Sequence, residues 1–127
     1  APHCDHSFLS MLPLAEEPGL QVLDGDGNWM WPDPVENGIV VNTGEFLNRW
    51  SNGRFLPTPH RVVPPKHDRY SIATFFNPDS ETSSEALDTC VSADNPPKFE
   101  TTTMQAYVEH YIDSNYLRSA GGTQDND

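Results

Sequence analysis

Basic residues are scarce in this chain. Its 127 residues hold seven Lys and Arg against nineteen Asp and Glu, a formal net charge of -12. Nucleic acid and anionic membrane surfaces both demand a basic footprint, so neither is expected as a partner. Cysteine is almost absent too. Cys4 and Cys90 cannot build a disulfide framework, and without a signal-like leader they are expected to be free thiols in a reducing, cytoplasmic setting. No apolar run approaches the ~20 residues needed to cross a bilayer, and the chain reads as soluble. No repeat is visible, and nothing in the sequence specifies an oligomeric state.

What is present divides into two textures. Up to about residue 78, β-branched and aromatic residues recur in short runs with turn residues every eight to twelve positions, the pattern of an all-β sandwich or barrel. Strands are expected in "FLSML" (8–12), "GLQVL" (19–23), "NWMW" (28–31), "GIVVN" (38–42), "HRVV" (60–63) and "RYSIATFF" (69–76). "TGEFLNRWSNGRF" reads as a compact turn or a single helical turn ending at Asn52-Gly53. "DGDG" between two of the strands is a hairpin signature. It also imitates the start of a calcium loop, but Trp29 and Val35 stand where that loop needs Gly and Glu, so the turn is the better reading. Beyond residue 78 the chain is polar and acidic. A loop is expected first, then an amphipathic helix over about 103–115 from the spacing of Met104, Tyr107, Val108, Tyr111 and Ile112. The aromatic stripe of that helix is expected to pack, and the tail from 117 to be disordered.

The chemistry-bearing residues cluster at the first residues, "APHCDHSF". On a strand, residues i and i+2 share a face, so His3 and Asp5 can reach one ion while Cys4 points away. By itself a His-x-acid pair is a chance event about as often as not, given five histidines and so many acids. A third ligand is available at His60, at the head of the apolar "HRVV". Two histidines and one carboxylate form the facial triad of non-haem Fe(II) oxygenases, with open positions for a co-substrate and dioxygen; zinc accepts the same donors. Arg69 and Ser71 add a second constellation. They share a face of a strand expected to lie in the core, where a buried guanidinium needs an anion and matches a carboxylate bidentately. A second Arg-x-Ser, Arg49-Trp50-Ser51, lacks an apolar strand after it and reads as surface or packing. Asn42, Phe75, Trp29, Trp31 and Trp50 are expected to pack. His67 and His110 are expected to face solvent.

Taken in order and spacing, "APHCDHSFLSML", "PGLQVLDGDGNW", "VVNTGEFLNRWSNGRF", "TPHRV" and "RYSIATFF" resemble the 2-oxoglutarate- and Fe(II)-dependent dioxygenases, in particular their isopenicillin N synthase-like group. The likeness extends to about Tyr116, through "PPKFETTTMQAYVEHYI". It implies an incomplete double-stranded β-helix, or jelly roll, with one C-terminal α-helix. On that likeness residues 1–78 would be the C-terminal part of the dioxygenase core, 79–116 an acidic loop with the helix, and 117–127 a tail. It further implies that His3, Asp5 and His60 ligate Fe(II), that Arg69 and Ser71 hold the distal carboxylate of 2-oxoglutarate, and that dioxygen is consumed, with room for ascorbate as an accessory reductant. The substrate would be a small organic molecule undergoing hydroxylation, desaturation or ring closure. The alternatives are an iron enzyme of the same fold that does not use 2-oxoglutarate, and a catalytically silent jelly-roll module. Members of the group are typically more than twice as long, with the H-x-D near their middle, so the chain is expected to be the back half of such a protein. Three departures stand out: His6 in place of an aromatic residue, Ser7 in place of Gly and Ser10 in place of Thr. None is expected to touch a ligand.

Overall fold

The structure, a computed structural model, describes residues 1–14, 17–33 and 35–114. Its elements are β1 (Leu9–Pro13), β2 (Leu20–Leu23), β3 (Trp29–Met30), β4 (Ile39–Thr43), α1 (Glu45–Trp50), β5 (His60–Val62), β6 (Thr74–Phe76), a short 3-10 turn at Asp88–Cys90, and α2 (Met104–Ile112). The strands form two three-stranded antiparallel sheets, ordered β4-β1-β6 and β3-β2-β5. The all-β core with one main helix agrees with the expected partial jelly roll. The segment before β1 joins the two sheets. His3 bridges antiparallel to His60 on β5. The chain then crosses over, and Leu9 opens β1 in the other sheet, paired with Thr43 and Phe76.

Local chemistry explains the turns. In the β2–β3 hairpin the Asp24 carboxylate accepts the N–H groups of Asp26 and Asn28 at 2.9 and 2.7 Å, and Gly27 takes the positive φ of 84° that the reversal needs. Those bonds, the one from Asn28 first, hold the Asp24 carboxyl below its ordinary pKa. The Asp24 carboxylate serves its own turn, as the hairpin reading required. α2 starts at Thr103, whose side chain accepts the N–H of Ala106 at 3.2 Å.

The polar stretch after residue 78 is fastened by one side chain. Asn52, fully buried and at φ 50°, donates from Nδ2 to the carbonyls of Cys90, Asn95 and Pro96 at 3.1–3.3 Å. Its Oδ1 accepts the N–H of Lys98 at 2.9 Å. A loop with little apolar content is thereby tied to the turn after α1.

The interior is more polar than its strands suggest. Among the described residues Leu20, Phe46 and Met104 are the buried apolar side chains, whereas Asp5, Ser7, Ser10, Gln21, Asn42, Ser51, Asn52, His60 and Ser84 are buried polar ones. Several expectations change accordingly. Residues 69–76 are not a core strand: pairing begins at Thr74, Tyr70 is 85% and Ile72 74% exposed, and Phe75 is exposed as well. Strand propensity does not supply backbone partners, and among the described residues β6 pairs with β1 alone. Trp31 is exposed beside an open cavity instead of packed. Trp50 packs edge-on against Phe8, with ring centroids 5.6 Å apart. His67 and His110 are exposed, as expected. The tail from 117 lies outside the described residues.

Candidate metal centre

β5 begins at His60, and β2 carries Val22 opposite it, so the His60 side chain lies on the inward face that also holds Leu20. The chain's first residues run along the other side of β5. His3 donates its N–H to the His60 carbonyl at 3.0 Å and accepts the His60 N–H at 2.9 Å. This reciprocal pair sets the two imidazoles side by side, ring centroids 4.4 Å apart. Asp5 completes the group, and one donor atom from each of the three residues lies within 4.8 Å of the others. His60 Nε2 stands 3.5 Å and His3 Nε2 3.9 Å from Asp5 Oδ1. His3 and Asp5 are thus brought together although residues 4–6 are not a regular strand.

The remaining polar atoms of the three side chains are engaged elsewhere. His3 Nδ1 lies 3.0 Å from the Ala1 carbonyl and His60 Nδ1 3.0 Å from the Thr58 carbonyl. Each Nδ1 can only donate to such a partner, so the proton sits there and the Nε2 lone pair is left facing the centre. Ser10 Oγ donates to Asp5 Oδ2, leaving Oδ1 as the carboxylate's inward donor. This corrects the expectation that Ser10 touches no candidate ligand: it is a fully buried hydroxyl on β1 bonded to one. A polar residue within the apolar run "FLSML" was the available signal. Asp5 and His60 are 8% and 6% exposed, while the His3 side chain is 57% exposed, so the group is walled on one side and open on the other. Two imidazole nitrogens and one monodentate carboxylate oxygen make a donor set that fits a divalent first-row metal.

Gly44 makes the crossing possible. A Cβ there would stand 1.9 Å from the Ser7 carbonyl oxygen and 3.1 Å from that of Asp5. With no side chain in the way, Gly44 N–H reaches the Phe8 carbonyl at 3.1 Å and Glu45 N–H that of Asp5 at 2.8 Å. His6 turns away from the centre toward Glu45, as expected of the residue next to a candidate ligand. Cys4 is half-buried; burial first, then the charges of Glu45 and Asp5, push its thiol pKa up and keep it protonated. Asn42 is buried opposite Ser10 on β4, and among the described residues its Nδ2 has no partner.

The second constellation is only begun. Arg69 is half-buried, not buried as expected; its Nε donates to the Glu17 carbonyl at 3.2 Å, and its side chain lies across Gly19, where a Cβ would meet Nε at 2.7 Å. The guanidinium borders an open cavity of about 860 Å³ that also takes in Leu14, Leu20, Trp31 and Val35. Ser71 is exposed on the unpaired stretch before β6 and forms no side-chain hydrogen bond among the described residues.

Known proteins match most of the chain. Residues 1–78 match the model of the 2OG-Fe(II) oxygenase superfamily. Kihadalactone A synthase LFS of Citrus sinensis is 39% identical over 111 residues, covering 84% of this chain and 33% of that protein. A full-length Neurospora crassa protein, crystallised with alpha-KG and thymine, superposes with a TM-score of 0.81 at 32% identity, over 91% of this chain and 37% of that one. JOX2, crystallised with 2OG, Fe and JA, gives 0.75 at 30% identity, over 88% and 32%. The chain spans about a third of the length of the curated relatives it matches.

Proposed function

The chain belongs to the 2OG-Fe(II) oxygenase superfamily, and from that premise we propose that it carries the metal-binding part of a non-haem Fe(II)- and 2-oxoglutarate-dependent oxygenase acting on a small organic molecule. The observation that carries the proposal is the convergence of His3 Nε2, His60 Nε2 and Asp5 Oδ1 while both Nδ1 atoms and Oδ2 are bonded elsewhere. In this reading those three atoms hold Fe(II). When bound, the iron activates dioxygen with electrons from 2-oxoglutarate, the chemistry that the chain itself cannot supply. The chain's part is positioning: the β5 bridge holds the two imidazoles together, Ser10 keeps Asp5 monodentate, and the open side at His3 leaves access to the metal.

Arg69 is the proposed partner of the distal carboxylate of 2-oxoglutarate. It lies over Gly19, three residues along from Val22, which pairs with His60. At about 3.3 Å per residue the backbone of Gly19 lies roughly 10 Å along the chain from that of Val22. That spacing suits a short dicarboxylate chelating the metal at one end and meeting the arginine fork at the other. Ser71 belongs to the same clamp, which requires residues 69–73 to join a strand. The reading includes the isopenicillin N synthase-like branch, supported by the five sequence blocks, and a reducing, cytoplasmic setting, supported by two free cysteines. Thymine and JA in the related crystals support a small substrate here, and the charge of -12 is unsuited to a polyanion.

One specific observation favours a second reading, an iron oxygenase that does not use 2-oxoglutarate: Arg69 Nε is taken by the Glu17 carbonyl and Ser71 is exposed. An anaerobic titration of the full-length protein with Fe(II), followed by 2-oxoglutarate, separates the two. The weak visible charge-transfer band of a metal-chelated keto acid is the expected result. Iron binding without the band supports the second reading, and absence of iron binding overturns both.

A further inference from the structure

Behind the metal centre lies a group of side chains that the proposed chemistry does not use. Glu45, the first residue of α1, holds the chain on both sides of the Asp5–His6 peptide: its backbone N–H donates to the Asp5 carbonyl at 2.8 Å, and its Oε2 lies 3.0 Å from His6 Nδ1. The same Oε2 accepts the Tyr107 hydroxyl of α2 at 2.5 Å. Tyr111, one turn further along α2, sets its ring 3.6 Å from that of His6, and the Arg49 guanidinium covers the Tyr107 ring at 5.4 Å. Elements 101 residues apart in sequence thus meet one residue from a metal ligand.

We infer that Tyr107 and Glu45 are positioning residues through which α2 sets the metal-binding segment. The inference rests on the proposed reading of His3, Asp5 and His60 as metal ligands. The metal-binding segment lacks a constraint of its own. Residues 4–6 belong to no strand, so no ladder fixes the direction of the Asp5 side chain. Ser10 holds its outer oxygen, the Glu45 N–H holds the Asp5 carbonyl, and the Glu45 carboxylate holds the neighbouring His6 ring. The carboxylate in turn keeps its direction only while something saturates it from the far side, and that donor is Tyr107. Burial and the adjacent carboxylate push the phenol pKa up, so the hydroxyl stays a donor throughout the working pH range. The Phe46 ring, fully buried against Tyr107 with centroids 5.9 Å apart, limits how far that side chain can swing.

The test measures Mn(II) affinity anaerobically in the full-length protein, by loss of the free-ion EPR signal, alongside the melting temperature of the metal-free form. Tyr107→Phe and Glu45→Ala are each expected to weaken Mn(II) binding about 10-fold, the lower end of what losing a direct partner of a metal ligand costs. The double variant is expected to be little worse than either single, because both break one chain of contacts. Glu45→Gln keeps an oxygen acceptor in the same position and is expected to stay within about 3-fold of the parent, a rescue that a carboxylate acting only by charge would not show. Tyr107→Phe with Mn(II) affinity within 2-fold of the parent, whatever its melting temperature, overturns the relay and leaves α2 as packing. A parent protein that binds no Mn(II) or Fe(II) overturns the reading of the centre itself, which is a separate outcome.

Discussion

His60 and Arg69 stand nine residues apart and, in the proposed function, serve the two ends of one co-substrate, yet their surroundings differ in kind. Around His60 every polar atom is directed by a neighbour. The backbone forms a reciprocal bridge to His3, Nδ1 donates to the Thr58 carbonyl, and Nε2 faces Asp5. Around Arg69 the chain from 68 to 73 pairs with no strand among the described residues, Tyr70 and Ile72 face outward, and the guanidinium leans on Gly19 and the Glu17 carbonyl. The difference teaches that a candidate metal centre can be preorganised by local hooks. The bridge, the two i−2 carbonyls and Ser10 all lie within the described residues. A carboxylate clamp on a strand instead needs neighbouring strands to order its backbone, and among the described residues none flanks 68–73.

The largest way to break the contrast is Gly44→Ala. The added methyl collides with the Ser7 carbonyl, and backbone cannot yield as a side-chain tip can. A loss of about 3 kcal/mol or more is expected, together with loss of metal binding, measured by denaturant unfolding and Mn(II) titration. Asp5→Ala comes next. It should weaken Mn(II) by more than about 100-fold, exceeding the effect of any supporting residue; unchanged affinity would remove Asp5 from the ligand set. Arg69→Ala sharpens the comparison from the other side. Loss of a charge-assisted pair costs about 1.5–3 kcal/mol, so 2-oxoglutarate affinity should fall about 10- to 100-fold while Mn(II) affinity holds; a loss of metal instead would make Arg69 a structural residue. Ser10→Ala is the smallest. With Asp5 Oδ2 released, metal affinity should fall about 10-fold, and Ser10→Thr, which keeps the hydroxyl, should restore it.

Much of this was legible in the residues and some was not, for reasons that can be named. His3, Asp5 and His60 could be chosen because ligand chemistry limits the residue types and the H-x-D spacing limits the geometry. Strands at 9–13, 20–23 and 39–43 followed from apolar runs bounded by turns. The run at 69–76 carried the same signals and misled, since alternation cannot tell whether a neighbour is present to pair with. Asn52 read only as turn punctuation; that its amide binds three carbonyls depends on a loop returning some forty residues later. His6 was a departure without an explanation until Glu45 and the helix of Tyr107 came alongside it.

By itself, then, the sequence determined the donor types, the acidic charge, the strand-rich first part and the amphipathic helix, because these depend on composition and on contacts a few residues apart. That His3 comes beside His60, and that Glu45 and Tyr107 stand behind the candidate metal-binding segment, were decided only by the tertiary structure. The physical reason is range: each depends on a hydrogen bond whose partner is brought near by the chain's path, and neither spacing nor propensity records that path.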